Sequence, residues 1–261
     1  MEQDPRAWIA ALRNSYDLLA SLVTSLTSDQ LRGPSYCRDW NVAQVLSHLG
    51  SGAEISLLML PAALGEAQAP GPETFQPIWD VWNAKTADEQ VADGLISDEK
   101  YVQALEALSD DELGRISFEL FGMNLDSVGL IRLRLGEHVP HTWDVAVSLD
   151  PAATLPPDAV TLLIDNVPQF LAPRLGRPPE AAFRIRIVTT NPDRDYLLIA
   201  GESISMPDWP GDGGGADSEV RMPAEALLRL AYGRLDPGHT PAEVTADAAD
   251  LGRLRQVFPG F

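Results

Sequence analysis

Cysteine is almost absent from this sequence, which has 261 residues and a single cysteine, Cys37. One cysteine excludes an intrachain disulfide and a structural metal site of the cysteine-rich kind. A chain without disulfides fits a reducing compartment, and the N-terminal segment has no apolar run typical of a secretory signal. We therefore expect a cytoplasmic protein. Nothing beside Cys37 indicates an activated thiol, so the role expected for it is structural.

Basic residues are also scarce, since 19 lysines and arginines stand against 38 aspartates and glutamates, for a formal net charge of -19. A polyanion of this size repels phosphate backbones and anionic lipid, so we predict no nucleic-acid or membrane partner. No stretch approaches the run of about 18 apolar residues that a membrane-spanning helix needs. The sequence gives no indication of an oligomeric state.

Amphipathic helices are predicted throughout the first half of the chain. In the first of them, apolar residues recur at spacings of three and four: Ile9, Leu12, Tyr16, Leu19, Val23 and Leu26. A second helix is predicted to begin at Asn41, which forms a capping-box pattern with Gln44, and to end at Pro61. Two or three shorter helices are predicted next. A long helix then runs over residues 127–149, and Pro140 inside it removes one backbone hydrogen bond and should bend it.

The character of the sequence changes after Leu149. Residues 150–157 are rich in alanine and proline and predict a domain boundary. One helix is predicted over residues 158–175, and residues 183–187 alternate strictly, as a strand does. We therefore predict an α+β protein with a helical domain over residues 1–149 and a small α+β domain over residues 150–261.

Histidine is also scarce, with four in the chain, and these few histidines suggest a metal site. Glu137 and His141 are four residues apart on a predicted helix, so their side chains lie on one face. His48, from another helix, would complete a set of two imidazoles and one carboxylate, which is a common set for catalytic zinc because it leaves a coordination position open. The alternative is a helical Glu–His pair that binds no metal.

Three further residues lie close to this pair along the same helix. Asp144 is one turn beyond His141 and is expected to accept the free ring N–H of that histidine. Arg134 is one turn before Glu137, and it either pairs with Glu137 or binds a substrate carboxylate in a bidentate fork. His138 is a competing ligand, but it points about 100° away from Glu137 around the helix.

Residues 41–49 (NVAQVLSHL) and 136–144 (GEHVPHTWD) resemble the two metal motifs of the mycothiol-dependent maleylpyruvate isomerase family, within the wider DinB-like helical bundles. The family's order of Glu, then His four residues on, then Asp three further matches Glu137, His141 and Asp144. Residues 224–235 (AEALLRLAYGRL) are similar to its C-terminal domain, which resembles sterol-carrier folds. The resemblance implies a DinB-like four-helix bundle followed by a sterol-carrier-like α+β domain.

The resemblance also implies a reaction class. It implies a zinc or other divalent-metal enzyme with mycothiol as thiol cosubstrate, whose metal-bound thiolate attacks a small electrophile and stays attached. The alternative within the family is a maleylpyruvate-type cis–trans isomerisation, in which the thiol adds to a double bond, the new single bond rotates, and the thiol leaves. The two remaining hypotheses for the function are a metal-dependent hydrolase and a non-catalytic ligand-binding module.

Overall fold

A computed structural model describes residues 4–120, 123–211 and 214–260 of the chain. It divides into two compact units, Met1–Ala153 and Thr154–Phe261. Helices make up the first unit almost entirely, and the second carries a four-stranded sheet. The predicted α+β class, with a helical N-terminal part and a sheet-bearing C-terminal part, is confirmed.

Four long helices form the bundle of the first unit. The helices of this unit are α1 (Pro5–Thr24), α2 (Ser28–Leu31), α3 (Val42–Ala63), α4 (Phe75–Ala84), α5 (Ala87–Glu106), α6 (Asp110–Arg115) and α7 (Ser127–Leu149). Strands β1 (Phe118–Leu120) and β2 (Met123–Leu125) pair antiparallel before α7. Helix α1 packs against α5 and α7, and α3 packs against the same two helices. This arrangement places α3 and α7, the two helices with the predicted metal ligands, side by side.

Local hydrogen bonds fix where the bundle helices begin. The Asn41 side chain accepts the Gln44 backbone N–H at 2.8 Å, and the Gln44 side chain accepts that of Asn41 at 2.9 Å, which completes the predicted capping box of α3. Helix α3 nevertheless continues past Pro61 to Ala63, so its predicted end was two residues early. A proline in the last turn removes only one backbone bond, which packing outweighs. Pro140 lies in the interior of α7 and likewise removes one backbone hydrogen bond without ending the helix.

Two glycines allow α3 and α5 to approach closely. A Cβ at Gly50 would lie 2.5 Å from the Trp82 ring and 2.7 Å from the Gly94 Cα. A Cβ at Gly94 would lie 2.8 Å from the backbone oxygen of Leu46. Real Cβ atoms essentially never come this near to backbone, so any larger residue at Gly94 must push the helices apart.

Gly94→Ala is therefore expected to lower the free energy of unfolding by about 1–3 kcal/mol, the usual cost of overpacking a core. Urea denaturation of the full chain measures it. Gly114→Ala is the matched control, because no atom of the described residues lies within 4 Å of the added Cβ in α6. At position 114, alanine should raise the free energy of unfolding by about 0.5–1 kcal/mol, because its helix propensity is better than that of glycine. Equal effects at the two positions would contradict the close approach.

Helix α3 is long and apolar enough to cross a membrane by length and composition alone, with a mean hydropathy of 1.2 over 18 residues. Polar residues such as Gln44, His48 and Glu54 interrupt this helix, so it is not an unbroken apolar run, although its mean hydropathy passes the test. This is weak evidence for a membrane span, since 44% of that window is buried inside the protein and core helices pass the same test.

The second unit contains helices α8 (Pro157–Leu163), α9 (Ala172–Leu175), α10 (Ala224–Ala231) and α11 (Ala248–Val257), and strands β3 (Phe183–Thr190), β4 (Arg194–Ala200), β5 (Ile204–Ser205) and β6 (Ser218–Pro223). The sheet order is β5-β4-β3-β6, with β3 antiparallel to β4 and parallel to β6. Alternate residues of β3 are buried, as its sequence predicts. The single helix predicted over residues 158–175 is wrong. A π-helical turn, Val167–Leu171, separates α8 from α9, because Pro168 lacks the N–H that a continuous helix needs.

Candidate metal centre

The structure brings His48, Glu137 and His141 together between α3 and α7. The Nε2 atom of His48 lies 3.3 Å from Oε2 of Glu137, and Nε2 of His141 lies 3.9 Å from the same oxygen. The two imidazole rings are 4.8 Å apart between centroids. One donor atom from each residue therefore lies within 4.8 Å of the other two. Two nitrogens and one carboxylate oxygen at this spacing fit a divalent cation of the zinc type.

One side of this cluster is open to solvent. The side chains of His48 and Glu137 are 36% and 54% exposed, whereas that of His141 is 11% exposed. Surrounding atoms partly desolvate the Glu137 carboxylate, which disfavours its charged form. The hydrogen bond from His48 and the charges of both histidines outweigh this and hold the pKa of Glu137 below its usual range. Glu137 is thus ionised at neutral pH and suited to bind a cation.

Asp144 lies behind His141, away from Glu137. Its Oδ2 atom is 2.8 Å from Nδ1 of His141, and the residue is fully buried. A carboxylate in this position accepts the Nδ1–H and leaves Nε2 as the lone-pair atom that faces His48 and Glu137. The structure therefore places the Asp144 carboxylate beside Nδ1 of His141, and that Asp144 orients this imidazole for a metal stays a prediction.

The loop between α2 and α3 supplies neighbours that the sequence analysis missed. The Trp40 ring lies 5.0 Å from that of His48 and 5.8 Å from that of His141. The Cys37 sulfur lies 3.0 Å from Oδ2 of Asp144 and 3.8 Å from Nδ1 of His141. The position of Trp40 just before the helix that carries His48 was the only sequence signal for this contact, and tryptophans most often belong to the hydrophobic core. Cys37, expected to be merely structural, contacts the residues that orient the site.

Arg134 and His138 point into the bundle instead. The Arg134 guanidinium forms an ion pair with Asp98 of α5 and donates to the backbone oxygen of Leu49 at 2.8 Å. The pairing of Arg134 with Glu137, one of two predictions for this arginine, is therefore wrong, because its observed partner is Asp98. Binding of a substrate carboxylate by Arg134 stays a prediction, and it would require this pair, only 6% and 1% exposed, to open.

His138 is fully buried and bonds to two hydroxyl groups. Its Nδ1 atom lies 2.8 Å from the Ser15 hydroxyl and 3.1 Å from that of Thr142. Its Nε2 atom lies 3.5 Å from Oδ2 of Asp98. These contacts turn the ring away from Glu137, as the 100° rotation per residue of a helix requires. In the part of the chain that the structure describes, His138 is thus a buried core residue of α7.

Both halves of the chain match known family models. A model described as the mycothiol maleylpyruvate isomerase N-terminal domain matches residues 12–146, and the MDMPI C-terminal domain matches residues 154–253. The chain is also similar to the crystal structure of the mycothiol-dependent maleylpyruvate isomerase, with a TM-score of 0.69 over 94% of each chain at 14% identity. A histidine-to-alanine mutant of that enzyme gives a TM-score of 0.67 at 14% identity, covering 89% of this chain and 90% of that one. At this identity, the likeness shows a shared fold.

One curated relative comes from Geobacillus thermodenitrificans (strain NG80-2), and its name suggests, without assigning, a metal-dependent hydrolase. It is 36% identical over 86 residues, which cover 33% of this chain and 46% of that protein. The chain thus spans less than half the length of this relative. Since the first family model alone spans more than half of the residues, the chain belongs to the mycothiol-dependent maleylpyruvate isomerase family.

Proposed function

We propose that the chain is an enzyme that holds one divalent metal ion, zinc in the cell, with His48, Glu137 and His141 and uses a low-molecular-weight thiol such as mycothiol. The observation that carries the proposal is the convergence of three donor atoms from two helices within 4.8 Å, on a side open to solvent. Three protein ligands leave a position for a further ligand, which is the arrangement of catalytic rather than structural zinc.

The chain's own residues prepare this position. Asp144 fixes the tautomer of His141, and Glu137 stays ionised at neutral pH because its neighbours outweigh the effect of burial and keep its pKa low. The Trp40 ring packs beside both imidazoles and limits their movement. A divalent cation bound there would keep a coordinated thiol deprotonated at neutral pH, although a thiol in water has a pKa near 8.5. The protein then needs no cysteine nucleophile of its own, which agrees with a chain that has only Cys37.

Thiol transfer to a small electrophile is the reaction we propose first. The sulfur forms a bond to carbon while a leaving group departs with its electron pair, or it adds to an activated double bond and stays there. Cis–trans isomerisation is the second candidate, favoured by the isomerase name of the two similar structures. Hydrolysis is the third, favoured by the name of the Geobacillus relative. We also propose that the protein works in the cytoplasm on small molecules and binds neither nucleic acid nor membrane.

Cobalt substitution tests the thiol. Full-length protein in which cobalt replaces the native metal is expected to gain a near-ultraviolet charge-transfer band when mycothiol or a simpler cysteine derivative is added. Sulfur bound directly to the ion produces this band. The matching serine derivative, which has a hydroxyl in place of the thiol, is the control ligand and should give no band.

Measuring the thiol and the product after the reaction also separates the three candidate reactions. Thiol consumed in proportion to product indicates transfer, whereas thiol recovered unchanged with a rearranged product indicates isomerisation. If the cobalt protein gives no band with any thiol yet hydrolyses an ester or amide, thiol chemistry is excluded and hydrolysis takes its place.

A further inference from the structure

The loop between α2 and α3 reaches the buried side of the metal centre through Cys37. Its sulfur lies 3.0 Å from Oδ2 of Asp144, and the same oxygen lies 2.8 Å from Nδ1 of His141. A sulfur and a carboxylate oxygen at this distance need a hydrogen between them, so the thiol donates to Asp144. Cys37 and His141 thus share one acceptor oxygen.

A fully buried carboxylate depends strongly on its hydrogen-bond donors. Asp144 has no exposed surface, so water cannot replace a donor that is lost. The orientation of its carboxylate decides which ring nitrogen of His141 carries the proton. Any donor that fixes this carboxylate therefore also fixes the lone pair of His141 that faces Glu137.

The backbone of the loop holds the thiol in place. The Tyr36 backbone N–H donates to the backbone oxygen of Asp144 at 3.1 Å, directly beside Cys37. The Trp40 N–H donates to the Cys37 oxygen at 3.0 Å, and the Ser35 hydroxyl donates to the Trp40 oxygen at 2.8 Å. The sulfur is therefore aimed at Asp144 by a closed turn.

We propose that Cys37 is a positioning residue, whose thiol holds the Asp144 carboxylate and through it sets the tautomer and orientation of His141. Its effect on metal affinity rests on the proposed function, but its effect on the His141 ring does not. This role differs from direct coordination, although the sulfur, His141 and Asp144 also lie within 4.8 Å of one another.

Three variants of the full chain test the proposal: Cys37→Ala removes the donor, Cys37→Ser restores one, and Ser35→Ala perturbs the same loop without touching Asp144. Ring ¹⁵N spectra of the metal-free chains at mildly alkaline pH report the tautomer of His141. Unchanged protein and Cys37→Ser should show the Nδ1–H form, and Cys37→Ala should show a mixture of the two tautomers.

Competition with a chromophoric chelator should show about tenfold weaker metal binding in Cys37→Ala, the lower end of the range for groups that orient ligands. Most of the loss should be recovered in Cys37→Ser and none should occur in Ser35→Ala.

Three results would overturn the proposal. An unchanged tautomer in Cys37→Ala is the first, and an equal effect of Ser35→Ala is the second, since it would assign the effect to loop rigidity. A sulfur-to-cobalt band without added thiol, absent in Cys37→Ser, is the third, because it would make Cys37 a ligand. If the unchanged chain binds no metal but the tautomer still depends on Cys37, the proposed function fails while this inference stands.

Discussion

A chain with His141→Ala is expected to bind divalent metal at least about a hundredfold more weakly than the unchanged chain. Structural zinc sites with four ligands are worth about 10–16 kcal/mol, so one ligand accounts for a few kcal/mol, and each 1.4 kcal/mol is tenfold in affinity. His48→Ala and Glu137→Ala should behave alike. Elemental analysis of protein purified without added metal and competition with a chelator measure the loss.

In the unchanged chain, bound metal should also be released as pH falls, because protons compete with the metal for the histidines.

His239→Ala is the matched control, because it removes an imidazole that pairs with Asp236 in the second unit. It should retain its metal. The ligand variants should also keep their circular dichroism and nearly the urea midpoint of the metal-free unchanged chain, since a core of this size does not need an ion to fold. Unfolding of a ligand variant under mild conditions would make the site structural, and metal loss in His239→Ala would contradict the assignment of the ligands.

The second large effect is expected at Asp98. Asp98→Ala should lower the free energy of unfolding by about 3–5 kcal/mol, because it leaves the Arg134 guanidinium buried without its carboxylate. Arg134 is 6% exposed, so water does not replace the partner. The same change removes the carboxylate that faces Nε2 of His138. Urea denaturation of the full chain measures the loss.

The double variant Asp98→Leu/Arg134→Met is the control, because it replaces both charges by apolar groups of similar size. Such replacements are often neutral or stabilising, so most of the stability should return. A double variant as unstable as Asp98→Ala would show that the ion pair is not the cause. The usual urea slope in all three chains would exclude a change in the unfolded state.

The same pair predicts a direction for acid unfolding. Burial by itself raises the pKa of Asp98, but the charges of Arg134 and His138 and their hydrogen bonds outweigh burial and lower it. A carboxyl with a lowered folded-state pKa stabilises the protein above its unfolded pKa, about 3.9, and this contribution is lost as pH falls through the folded value. The unchanged chain should therefore lose more stability below pH 4 than the double variant.

Local sequence patterns predict how elements begin better than how they end. Asn41 with Gln44 marks the start of α3 because the hydrogen bonds involved join residues three apart. Prolines are less informative, since Pro61 and Pro140 lie inside helices whereas Pro168 interrupts one. The bundle helices are held by packing along their whole length, and packing energy is not visible in the residues beside a proline.

The site shows the same division between local and long-range information. Glu137, His141 and Asp144 share one helix, so their spacing alone predicts their relative positions. Cys37 reaches Asp144 across 107 residues of sequence, and no local pattern predicts such a contact. Glu137 was the only protein partner predicted for Arg134, because only neighbours on its own helix could be considered. The observed partner, Asp98, comes from another helix.

The distance along the chain between the two parts of the candidate metal centre would have a consequence for folding if the proposed ion binds. His48 and Glu137 are 89 residues apart, so in the unfolded chain only Glu137 and His141 of the three proposed ligands lie close together. The complete set of proposed ligands comes together only after α3 and α7 have packed, so a bound ion would favour the folded chain almost exclusively. At a free-ion concentration of about 100 times its dissociation constant, such selective binding adds about 2.7 kcal/mol to the free energy of unfolding. The lifetime of the folded bundle would then follow the supply of free metal in the cell, and a shortage of metal would reduce the amount of protein as well as its activity.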